Sequence, residues 1–293
     1  MSLTDAEALQ AGTLPRRHDV RARPGARVTP GEVVAGAVLL FLALAAIVPE
    51  LFTSLDPLAI SPSEAFQSPS PSHWFGTDES GRDVFARTIH GARPSLTIGV
   101  AATAIGMVLA LILGVLGGVG PKPVDYTVTR VGEVLFALPG LLLALVFIAI
   151  VGPGIVTSTI AVGISAAPGY ARIIRSQIRA VRGAPYVEAA VVLGRSPAAI
   201  LGRHILPNAV APVFVLATLG VGQAIVWASS LSYLGLGAVP PAAEWGAMLS
   251  AGRSYISNAW WLTVFPGIFI VLAAAAATSL GRAMQARTRQ VGR

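Results

Sequence analysis

The sequence predicts an all-α membrane protein of six transmembrane helices with both termini in the cytoplasm. Three observations predict it. Of the 293 residues, 54% are hydrophobic and only 12% are charged. That is half the charge of an ordinary soluble domain, about 25%, and too little to cover a surface facing only water. Uncharged runs long enough to cross a bilayer recur along the chain. The basic residues gather in alternate connecting segments: 17 of the 21 fall on the side of the N-terminus, and Arg82, Arg87, Arg93 and Arg253 on the other. The net charge of +7 is spread along the edges of apolar runs. No basic patch interleaved with aromatics occurs, so nucleic acid is not an expected partner. Cysteine is absent, which excludes disulfides and thiolate metal sites.

Residues 1–30 are polar and proline-broken, with Arg16, Arg17, Arg21, Arg23 and Arg27, and read as a disordered basic cytoplasmic tail. Val33 to Val48 is uncharged and extends through Phe52, giving a first span over 31–53. No small-x-small site comes after it, so it reads as an uncleaved helix. Residues 54–93, rich in Ser and Pro, form an extracytoplasmic segment. There Thr77 or Asp78 is placed to cap a helix with an apolar face of Val84, Phe85, Ile89 and Ala92, suited to lying on the membrane surface. Asp78, Glu79 and Asp83 beside Arg82 and Arg87 read as an ion-paired cap rather than a metal or catalytic cluster.

A five-helix core over 94–284 comes next. Pro94 to Pro121 is the second span, and a short polar loop begins at Pro121. Val134 to Ala171 carries no charge and is too long for one helix, so Gly152-Pro153-Gly154 divides it into spans three and four. Span five is expected near 209–228, with Ser229 to Arg253 as a loop. Span six is expected over Ser254 to Gly281, before a cytoplasmic tail at 285–293. Glycines in span two, such as Gly106 and Gly114, suit close helix packing.

Between spans four and five, Arg172, Arg175, Arg179 and Arg182 recur at helical spacing. They read as a positive-inside stripe gripping lipid phosphates. Gly183 stops that helix and Pro185 opens the next. Gly194 ends it as a left-handed cap, and Ser196-Pro197 restarts a helix toward Leu206-Pro207. The segment 184–207 is thus two short helices meeting at a bend. Small Ala189 and Ala190 would admit a partner surface, with Val187 and Val191 as its apolar edge.

Glu188-Ala189-Ala190, three residues, Gly194, then Leu206-Pro207 resembles the EAA loop of bacterial ABC-importer permeases. The stretch Gly76-Thr77-Asp78, Gly81-Arg82-Asp83 and Arg87 is similar to the C-type subunit of the dipeptide, oligopeptide and nickel branch. So are Leu231 to Gly237, Trp245-Gly246 and Phe265-Pro266-Gly267. The resemblance covers about residues 33–285. It implies a type I importer permease fold in the bacterial cytoplasmic membrane. It also implies a homologous permease as heterodimer partner, two ATPase subunits that bind ATP and Mg, and an extracytoplasmic substrate-binding protein. By the same resemblance, Glu188, Ala189, Ala190, Gly194, Leu206 and Pro207 couple to the ATPases, and the cargo is a peptide or, alternatively, nickel or another small solute. Two positions depart from the family habit: Ala228 and Arg282 stand where an acid is common.

The spans hold almost no ionisable residue, which argues against a proton-coupled carrier. No phosphate-binding loop occurs, so the chain itself is not expected to hydrolyse ATP or to hold a cofactor. Gly163-Ile164-Ser165 lacks a histidine within a span to act as base, against an intramembrane protease, and no selectivity ring marks a passive channel. Tyr170, Gln223, Ser229 and Ser230 are the polar candidates for a translocation path, although Gln223 reads first as interhelical glue.

Overall fold

The computed structural model describes residues 29–291; of the expected tail over 1–30, residues 1–28 lie outside the described residues, and Pro30 already belongs to the first helix. The first helix, α1 (Pro30–Ile47), opens with Thr29 accepting from the Glu32 amide and proline in its first turn. It stops at Ile47, ahead of Pro49, short of the expected 53. Its outer face exposes Val34, Leu40 and Ile47, as a helix solvated by hydrocarbon would.

Residues 48–83 form an irregular layer that leads into α2 (Val84–His90) and, across Gly91, α3 (Ala92–Val119). The polar loop expected after Pro121 is instead an amphipathic helix, α4 (Lys122–Phe136), because a proline at its second position removes no intrahelical bond. Ala137-Leu138-Pro139 then bends the chain by 93° into α5 (Gly140–Val151). With 12 residues, α5 is about 18 Å long, too short for the straight third span expected; only together with α4, across the bend, is it long and apolar enough for one span.

After Gly152-Pro153-Gly154 comes α6 (Ile155–Arg182), 28 residues long. It is less apolar than the four helices that qualify as spans by length and composition, which are α1, α3, α9 (Leu206–Tyr233) and α11 (Trp261–Val291). Its hydroxyls are absorbed by its own backbone: Ser158 and Thr159 donate to Ile155 O, and Ser165 donates to Ala161 O. α6 is central. Gly106 faces Gly163 O, Gly114 faces Ile174 and Gly118 faces Ile178, so α3 and α6 lie nearly backbone to backbone.

The segment from Ser229 to Arg253, expected as a loop, is mostly helical. α9 runs on to Tyr233, and α10 (Trp245–Gly252) returns into the bundle. Glu244 caps α10, its carboxylate accepting from the Gly246 and Ala247 amides at 2.9 Å and from the Ser95 hydroxyl at 3.4 Å. Trp245 is fully buried, with its indole N–H on Thr88 O at 2.8 Å. Glutamate is not a common cap residue, which is why this helix start is hidden in the sequence. α11 continues as helix into the expected tail as far as Val291, held where Arg287 pairs with Glu32 of α1.

Candidate coupling loop and solute path

The candidate coupling loop is built by local chemistry. Gly183 ends α6, and α7 (Pro185–Val192) begins at once. The Gly194 amide donates to Val191 O at 2.9 Å and the Arg195 amide to Ala190 O at 3.1 Å, the paired bonds of a Schellman cap. That geometry needs the left-handed φ of +70° found at Gly194. Ser196 caps α8 (Pro197–Ile200) by accepting from Ala199 N. A π-helical turn, Leu201–Ile205, joins α8 to α9. In it the Leu206 amide reaches back to Leu201 O. The wider turn makes room for Pro207, which has no amide and whose ring would press on a tighter helix.

The loop has two faces. Val187 and Ala190 point inward and are buried with Ile174 and Ile178 of α6, Ile205 of the π-helical turn and Ala209 of α9. Glu188, Ala189 and Gly194 point outward. Ala190 and Val187 therefore do not form a partner-facing edge, because α7 turns them onto α6. The outward tip is apolar: Val191 is 59%, Val192 87% and Leu193 77% exposed. Three adjacent large apolar side chains at the basic end of the bundle mark a contact surface.

The arginine stripe is not wholly free for lipid. Arg175 and Arg179 both pair with Asp125 of α4, the latter at 2.6 Å, and Arg175 Nε donates to Gly117 O at 3.2 Å. Arg172 lies over the Phe136 ring at 4.4 Å. These residues tie α4 and the end of α3 to α6, while Arg182 remains exposed.

At the opposite end, neither Thr77 nor Asp78 caps α2; Asp83 does, accepting from Ala86 N at 2.7 Å. Nor is α2 a surface helix, since Val84, Ala86, Arg87, Thr88 and Ile89 are all buried. Asp78 organises the turn before it, accepting from the Ser80 and Arg82 amides. Its other oxygen lies 3.6 Å from both Arg82 and Arg87. Arg87 donates to Pro57 O and Pro241 O at 3.3 Å, so it joins the outer layer to the loop before α10. Its guanidinium remains charged throughout the working range. Thr77 is fully buried, its carbonyl accepting from the Trp261 indole at 3.1 Å. Gly76 packs against that same indole. At Gly81, with φ of +75°, a Cβ would come within 1.8 Å of Ser61 O. No group of three potential metal ligands occurs among the described residues.

Of the path candidates, Tyr170 and Gln223 meet at a small cavity that also touches Thr103 and Trp227. Gln223, Val226 and Ser230 lie on one outward face of α9, while Ser229 is buried beneath Gly246 of α10 and leaves the set. Gln223 is exposed and has no hydrogen bond among the described residues, so within this chain it is not interhelical glue.

Residues 106–290 match the family described as binding-protein-dependent transport system inner membrane component. The chain is 39% identical over 240 residues to the dipeptide transport system permease protein DppC of Alkalihalophilus pseudofirmus, covering 82% of this chain and 79% of that protein. It is 40% identical over 215 residues to the glutathione transport system permease protein GsiD of Pectobacterium atrosepticum, covering 73% and 71%. Its fold is similar to a crystal structure of an amino acid ABC transporter with histidines, with a TM-score of 0.56, 20% identity, and 69% and 94% of the two chains covered. With its bundle of spanning helices, its two-faced loop ahead of Pro207 and these likenesses, the chain belongs to the family of inner membrane components of binding-protein-dependent transport systems.

Proposed function

We propose that this chain is one of two homologous membrane subunits of an ATP-driven importer that carries peptides across the cytoplasmic membrane by alternating access. Two ATPase subunits dock on the coupling loops, and an extracytoplasmic binding protein delivers the cargo. The functions for which the relatives are named, dipeptide and glutathione transport, support the cargo class. ATP and Mg belong to the partner subunits in this reading, and membrane lipid surrounds the bundle.

The observation that carries the mechanism is the two-faced loop. Its tip, Val191 to Leu193, is bare and apolar. Its inner face is embedded between α6 and α9 through Val187, Ala190 and Ile205. A displacement imposed on the tip therefore moves both helices together, since packed cores shift as units rather than deform continuously. Glu188, Ala189 and Gly194 shape the docking surface; Ala190, Leu206 and Pro207 transmit its motion. Because the chain has no cysteine, Leu193→Cys gives a unique thiol. In the assembled transporter it should form a crosslink to a cysteine placed on the ATPase surface, with a yield that changes on ATP binding. A thiol freely labelled in the full complex, in every nucleotide state, would remove the docking assignment.

A further inference from the structure

An open groove of about 770 Å³ runs between α9 and α11. Its floor is set by a close crossing, where Gly222 lies against Ala274 O and the Thr278 hydroxyl. Its walls are apolar apart from Gln223, Thr278, Ser279 and Arg282. None of these four side chains has a hydrogen-bond or ion-pair partner among the described residues. Gln223 lies 17 residues into α9, which starts at Leu206. That places it about 25 Å along the helix, well inside the apolar layer. A carboxamide left bare against lipid tails would lose several kcal/mol of hydrogen bonding, so a polar group (of water, the solute or the second membrane subunit), not an acyl chain, meets this face. α3, α5, α6, α9 and α11 contain no Asp or Glu, so nothing in the groove balances a cationic solute. Arg282 supplies one exposed positive charge at its basic end.

We propose that this groove is a carboxylate-selective stretch of the solute path, in which Arg282 pairs with an anionic group of the cargo and Gln223 hydrogen-bonds its amides. The proposal rests on the importer reading above and narrows it to solutes carrying a carboxylate. An exposed arginine on the cytoplasmic stretch of a spanning helix is also a common topology anchor. An anchor acts on every cargo alike, whereas a carboxylate partner acts only on the charged one.

The complete transporter, in vesicles of fixed lipid composition, would be given trialanine as the free acid and as its C-terminal amide. Each would be supplied at saturation of the binding protein, whose affinities are measured separately. Wild type should move the acid faster. Arg282→Gln should lower the acid-to-amide uptake ratio by about tenfold, the scale of one charge-assisted hydrogen bond. Arg282→Glu should invert the ratio, and Arg282→Lys should largely restore it. If Arg282→Gln slows both peptides by the same factor, or its effect tracks the anionic lipid content of the vesicles, Arg282 is an anchor and the proposal is wrong. Wild type that transports neither peptide would bring down the cargo reading itself, an outcome distinct from transport with an unaltered ratio.

Discussion

At the scale of single residues, Gly194 carries the most specific demand. Its Cβ would meet no atom within 4 Å, so space does not require glycine there; the φ of +70° does. A β-branched residue in that conformation is disfavoured by about 1–2 kcal/mol, enough to shift the loop population roughly tenfold. Gly194→Val should therefore lower peptide uptake by about that factor. Membrane insertion and the thermal stability of the bundle should stay near wild type, because the strain is confined to an exposed cap. Uptake and melting curves on the same membranes check this; unchanged uptake would mean that the Schellman cap is dispensable for coupling. The need for glycine was readable from its place after Glu188-Ala189-Ala190 and before Ser196-Pro197. Which of the two alanines faces outward was not. α7 is only eight residues long, with Glu188 as its single charged residue, so periodicity does not separate the two adjacent alanines.

At the scale of elements, α4 and α10 were missed for related reasons. The start of α4 is masked by Pro121 and Pro123, which look like a loop but are tolerated in a first turn. The start of α10 depends on a buried glutamate, whose carboxylate accepts from the Gly246 and Ala247 amides and also from Ser95, 149 residues away in sequence. α4 is held through Asp125, which receives both Arg175 and Arg179. Asp125→Asn should weaken that hold and raise hydrogen exchange over 122–136, more so at low salt, where the ion pairs of the wild type are strongest. Exchange equal to wild type at low ionic strength would show that the apolar side of α4, rather than its charges, keeps it in place. The same pairing explains why the arginine stripe is not wholly available to lipid: an acid on the neighbouring helix competes with phosphate for two of its members.

At the scale of the whole molecule, Arg287 of the last helix pairs with Glu32 of the first, so the described ends of the chain lie at one end of the bundle. Arg175, Arg179 and the coupling loop share that end, since Val119, Arg182 and Val187 line one cavity. The outer layer, with Arg87 bridging Pro57 and Pro241, closes the opposite end. Single cysteines at Val192 and at Ser68, introduced into this cysteine-free chain, should be labelled from opposite faces of the membrane by an impermeant reagent. The thiol at 192 should react only in inverted vesicles or after permeabilisation. Labelling of both from one face would refute the odd number of crossings between residues 68 and 192 and the placement of the basic loops.

Composition and short-range spacing were enough for the apolar runs, the 17-to-4 division of basic residues, the caps at Gly194 and Ser196, and the likeness to importer permeases. Each of these depends on neighbours within a helical turn or on the solvent around a whole segment, and both are written into the linear chain. Which faces meet was settled by three-dimensional packing alone. Packing turned Ala190 inward and Ala189 outward, buried Ser229 while leaving Gln223 bare, made α2 an interior helix, and gave Asp125 two arginines. Those outcomes arise from contacts between residues far apart in the chain, where close packing and charge pairing outweigh the local preferences that a linear reading can see.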